Sequence, residues 1–182
     1  MKKVISFILM FSLFVLFVVS FAAEKSNNYV GVKKCQMCHK TKKSGNQFGI
    51  WQSKKHAQAY ATLATPEAKE AAKKAGVAGD PQKAKECLVC HVTAFEAPAA
   101  NKEASLTVEE GVSCEACHGP GSEYKSMKVM KAITAGTTKG ADVGLIEPTK
   151  EVCVKCHNPK SPTYKEFVYE EAIKAIAHPI PK

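Results

Sequence analysis

Apolar positions are spread unevenly along this chain. Residues 4–21 form one apolar run, interrupted only by Ser6, Ser12 and Ser20 and preceded by Lys2 and Lys3. Small residues at Ser20 and Ala22 fit a signal-peptidase site after Ala22, so residues 1–22 read as a secretory signal peptide and 23–182 as the exported part. A run of 18 residues is also just long enough to span a bilayer, which makes an uncleaved anchor the alternative. No cysteine follows the run directly, which argues against a lipoprotein anchor, and no later segment is long and apolar enough to span. Beyond the run the periodicity is helical and short-ranged. Ile50, Trp51, Ala57, Tyr60, Ala61 and Leu63 form a stripe that predicts a helix over 48–63. Thr65, Pro66 and Glu67 supply an N-cap, a first-position proline and an acid in the first turn of a helix that runs to Lys74 and stops at Gly76. Asp80-Pro81 starts a further helical turn leading into Cys87, and Gly119-Pro120-Gly121 is a breaker. Residues 122–133 and 164–177 read as the last two helices, the second burying Phe167, Val168, Ile173 and Ile176. The Ala/Pro/Glu-rich stretch 94–107 reads as a surface loop. No alternation is long enough for a sheet, so the expected class is mainly α, with short helices and long loops.

Charge changes the picture only briefly. There are 26 basic and 17 acidic residues, a formal +9, and every basic residue is lysine. A basic chain without arginine lacks the planar fork that reads phosphates and guanines, so nucleic acid is not an expected partner. Eight cysteines in 182 residues are too many for an ordinary cytosolic enzyme.

Those cysteines carry the chemistry. They occur as Cys35-x-x-Cys38-His39, Cys87-x-x-Cys90-His91, Cys114-x-x-Cys117-His118 and Cys153-x-x-Cys156-His157, with none left over. Zinc sites, a disulfide framework or a thioredoxin-like motif would each use paired cysteines. None of them explains a histidine after every second cysteine. The C-x-x-C-H spacing is that of covalent haem attachment: two thiols meet the two vinyl groups of a porphyrin, and the adjacent imidazole meets the iron. The expected cofactor is therefore haem c (heme c), four per chain and covalent. Roughly 40 residues per haem is too little for separate domains, so 23–182 is expected as one domain packed around its macrocycles. Motif spacings of 52, 27 and 39 residues exclude a strict repeat array.

Four irons have eight axial positions. His39, His91, His118 and His157 fill four, and only His56 and His178 remain as candidate distal ligands. The other irons take methionine, lysine, water or nothing. Met127 and Met130 lie one helical turn apart after the third motif, where core packing is the commoner use, and Met37 cannot swing over its own haem. At least one five-coordinate iron is expected, with mixed high- and low-spin haem.

Several of these segments resemble the tetrahaem cytochrome c-554 family: Tyr29-Val30-Gly31 before the first motif, Trp51-x-x-x-x-His56-Ala57, the stretch 110–122 around the third motif, and 156–163. The resemblance covers nearly the whole mature chain. It implies a mainly α-helical fold with closely stacked haem pairs, bis-histidine haems with one five-coordinate haem, and periplasmic electron carriage from hydroxylamine oxidoreductase. The motif residues and His56 carry over by position, and His178 less directly. The family has three distal histidines. This chain has two spare and none between Val92 and Ser113, so one ligand is missing and the hydroxylamine pathway does not transfer with the fold.

The expected function is periplasmic electron transfer between redox partners through closely packed haems. The alternative is reduction of nitric oxide, nitrite or hydroxylamine at an open iron. No catalytic acid, base or nucleophile stands out. Lys33, Lys34, Lys42, Lys43, Lys54 and Lys55 cluster near the first motif and would steer an acidic or membrane-bound redox partner. The chain itself is expected as a monomer or weak oligomer, membrane-bound only if the N-terminal segment stays uncleaved. Loss of two lysines with the signal peptide leaves +7. Eight propionates and four ferric cores bring the oxidised protein to about +3 and the reduced one to about −1.

Overall fold

Chain breakers and motif boundaries keep every helix short. The computed structural model describes residues 27–180, and the signal-peptide reading of 1–22 lies outside them. Helix α1 (Val32–His39) begins after Gly31, whose φ of 80° only glycine adopts freely, and carries the first motif to its histidine. A 3₁₀ turn at Lys42–Ser44, closed by a reciprocal Thr41–Ser44 cap, leads to α2 (Gln47–Gln52). After it come α3 (Ala59–Thr62), α4 (Pro66–Lys74), α5 (Lys85–His91), α6 (Cys114–His118), α7 (Met127–Thr134), α8 (Lys150–Cys153) and α9 (Tyr169–Ile176). Motifs two and three lie on α5 and α6; the fourth starts at the end of α8. Among the described residues there is no strand, only an isolated parallel bridge between Tyr29 and Lys102. The mainly α class with long loops is what the structure has.

Helix α4 matches its sequence signals closely. The Thr65 side chain accepts from Ala68 N, Pro66 is at the first position, and Gly76 follows with φ 73°. Four other expectations need correction. The stripe over 48–63 is not one helix. It breaks at Lys54, which is extended, and resumes as a 3₁₀ turn (Lys55–Gln58) and α3. The break is held from outside, because the Trp51 indole donates to Val112 O at 2.8 Å and Val112 N donates to His56 O at 3.0 Å. The 122–133 helix starts only at Met127, capped by Ser126. Ser122 is instead tied to Asn28, its N–H donating to Asn28 O and its hydroxyl accepting from Asn28 N. The 164–177 helix covers only Tyr169–Ile176, and Phe167, ahead of it, stacks on His157 at 4.8 Å. Val168 is exposed rather than buried. Asp80 makes a turn, not a helix, its carboxylate accepting from Gln82 N.

The 94–107 loop is largely irregular, as its composition indicates, with one 3₁₀ turn at Ala99–Asn101. The protein core is small. Leu63, Leu88 and Val92 form its centre, with Tyr60, Cys87 and Phe95 packed against them. Residues 110–113 are the hub of the fold. Gly111 O accepts from both the main chain and the hydroxyl of Thr93, Ser113 N donates back to Thr93 Oγ1 at 2.7 Å, and Val112 holds the His56 turn. Through this segment the residues after the second motif, the turn carrying His56 and the third motif are fixed to one another.

Candidate functional site

Two buried carboxylates join the first motif to the third. Glu115, inside the third motif, lies 2% exposed and accepts from Val30 N, Gly31 N and Gly121 N at 2.6–3.0 Å. Glu110 accepts from Val32 N at 2.9 Å. Together they satisfy donors at the start of α1, which has no side-chain cap of its own. Burial pushes both carboxyls above their ordinary range, against the pull of those N–H groups. Neither carboxylate was singled out from the sequence. The available signal was an acid inside a C-x-x-C motif followed by Gly-Pro-Gly, whose N–H it takes.

The eight cysteines all carry free thiols, seven of them half-buried while Cys38 is exposed. Among the described residues no three His, Cys, Asp or Glu side chains converge as a group that could hold a metal ion. Their neighbour relations are specific. A hydrogen bond with Cys114, reinforced by burial, drives the Cys35 thiol far up and lowers Cys114. Burial and then Cys90 push Cys156 up; burial and then Cys153 push Cys117 up.

The motif histidines present the right nitrogen for a metal. His91 Nδ1 lies 2.7 Å from Ala59 O and His118 Nδ1 lies 3.3 Å from Ile146 O. A carbonyl only accepts, so Nδ1 carries the proton and Nε2 keeps its lone pair. His39 Nδ1 meets Gln47 Oε1 at 3.2 Å, and the Gln47 amide is oriented by donating from Nε2 to Pro179 O at 2.9 Å. Tyr124 fixes the end of the third motif by donating to Gly119 O at 2.6 Å.

The two spare histidines come to defined partners. His56 faces His157 with ring centroids 6.0 Å apart, and His178 faces His118 at 5.8 Å. An iron with one nitrogen on each side at about 2 Å separates two imidazole centroids by roughly 6 Å. Both pairs therefore fit an iron between them. Burial, then the facing His157, lowers the His56 pKa; burial, then His178, lowers that of His118, which favours the neutral form a metal needs. His178 lies beyond α9, which ends at Ile176, rather than on it.

The apolar surface also fits bound macrocycles. Seven hydrophobic residues are buried among those described, and α7 and α9 bury none despite their apolar stripes. A chain of this length that packed only on itself would bury far more. Flat apolar groups held at the four motifs would cover those faces.

Residues 34–119 match the family model described as cytochrome c554 and c-prime. A curated relative, cytochrome c-554 of Nitrosomonas europaea, is 35% identical over 105 residues, which is 53% of this chain and 40% of that relative's length. The solved structure of reduced cytochrome c554 from Nitrosomonas europaea is 31% identical with a TM-score of 0.52, covering 82% of this chain and 78% of that one. Short helices, C-x-x-C-H motifs and shared sequence point the same way: this chain belongs to the cytochrome c554 family, whose c-type haem is covalently bound.

Proposed function

We propose that the mature chain is a periplasmic tetrahaem cytochrome that carries electrons between protein partners, its motifs joined in the order first, third, fourth, second. The neighbour relation of the attachment thiols carries this reading. Cys35 hydrogen-bonds with Cys114, Cys156 with Cys90, and Cys117 lies near enough to Cys153 to feel its charge. When bound, each haem supplies a one-electron ferric–ferrous couple. The chain's part is to offer four proximal imidazoles, those of His39, His91 and His118 held by their Nδ1 partners, to place His56 and His178 opposite two of the four, and to keep the sites close together.

Lys33, Lys34, Lys42, Lys43 and Lys55 are exposed, with Lys54 half-buried, on the elements around the first motif. They support docking of a redox protein that is acidic at its contact face. Two measurements test the reading. Haem extraction by the pyridine method should return four haems per chain, none removable by acid acetone. Reduction by an acidic partner should slow as salt rises; a flat rate removes the docking face. The reductase reading is favoured by one observation, that His39 and His91 face no imidazole among the described residues. Turnover of nitric oxide, nitrite or hydroxylamine by reduced protein would establish it. Reoxidation without turnover leaves the carrier.

A further inference from the structure

The tetrahaem reading on which this inference rests expects at least one open iron, and the pairing above leaves two proximal histidines unopposed. Both spare imidazoles are taken, His56 by His157 and His178 by His118. His39 and His91 belong to the two end motifs of the first–third–fourth–second order. They differ in support. His91 Nδ1 donates to a main-chain carbonyl, whereas His39 Nδ1 meets a side chain, Gln47. Gln47 is buried, and its bond to Pro179 O turns Oε1 toward His39. An acceptor on Nδ1 sets how strongly Nε2 donates to iron. A neutral amide at 3.2 Å is a weak acceptor, so Gln47 adds little to the donor strength of Nε2. Such an imidazole, with no second imidazole opposite among the described residues, suits neutral π-accepting diatomics on the ferrous iron.

We propose that the iron held by His39 is a second site for exogenous ligands, of the carbon monoxide and nitric oxide class, and that Gln47 is its positioning residue. Ligation forms one dative bond from the diatomic to ferrous iron; no bond breaks and no further electron is needed. Methionines on α7 are the competing occupants, and the test separates them.

Haem content of the purified holoprotein is measured first. A count below four removes the tetrahaem reading, and this inference with it, before any ligand is added. Carbon monoxide is then titrated into the fully reduced holoprotein and followed by absorbance and infrared spectroscopy. The expected result is two equivalents per chain and two carbonyl stretching bands. Gln47→Glu should move one band to lower wavenumber, since a carboxylate draws the Nδ1 proton harder. Gln47→Met should move the same band the other way, leaving the second unchanged. One equivalent with four haems present overturns the proposal while leaving the relay intact. So does a single equivalent that becomes two in the Met127→Leu, Met130→Leu double variant, because a methionine then fills the first iron. Two bands that both ignore the Gln47 variants overturn the role of Gln47.

Discussion

Glu115 shows how much one side chain can hold. Its carboxylate takes three N–H groups from two separate segments while fully buried. Glu115→Ala leaves those donors unpaired and should cost roughly 2–4 kcal/mol in guanidinium unfolding of the holoprotein, with Glu115→Gln losing less because one amide oxygen still accepts. Glu110 makes a different point. One of its oxygens holds Val32 N, while the other is buried without a hydrogen-bond partner. Burial first, opposed by Val32 N–H and by Lys33 among others, leaves its pKa above the reference 4.5. The folded state then binds the proton more tightly than the unfolded chain. Its contribution to stability is full below about pH 4.5 and is lost as pH rises through the folded value. Glu110→Gln should flatten that part of the stability–pH curve, measured by unfolding at successive pH values between about 4 and 7.

At the scale of an element, the turn carrying His56 depends on a glycine in another segment. Gly111 has φ 63°, and a Cβ there would lie 2.8 Å from His56 O and 3.2 Å from Ala59 N. Gly111→Ala should therefore cost about 1–3 kcal/mol and displace the Lys55–Gln58 turn. The expected sign is a loss of one low-spin signal in electron paramagnetic resonance, as His56 leaves the iron of His157. An unchanged spectrum would mean that the turn tolerates the methyl. The same contacts explain why the helical stripe over 48–63 misled. Its apolar spacing is real, but hydrogen bonds from Trp51 and to His56 O divide it. In α4, by contrast, cap, proline and terminal glycine are all local, and the sequence reading holds.

At the scale of the whole molecule, the two imidazole pairs are separate units. His178→Ala should convert one low-spin haem to high spin and leave the His56–His157 pair as it was; His56→Ala should do the converse. Spin quantitation of the oxidised protein checks both. Loss of two low-spin signals from either single variant would mean that the pairs share a support. The small protein core and the uncovered faces of α7 and α9 make holoprotein stability depend on the cofactors.

The sequence by itself determined the four C-x-x-C-H motifs on which the proposed attachment and proximal ligation rest, because each lies within five consecutive residues. It also determined the class, since short helical stripes between breakers need no distant partner to be read, and it gave the shortage of two histidines by counting. Which motif histidine each spare histidine faces was decided only by tertiary structure. His56 and His157 are about a hundred residues apart, and no periodicity encodes their meeting. The same holds for the supports at Gln47, Glu110 and Glu115. Buried polar groups find whichever donors the fold brings to them, and that choice follows from long-range packing rather than local spacing.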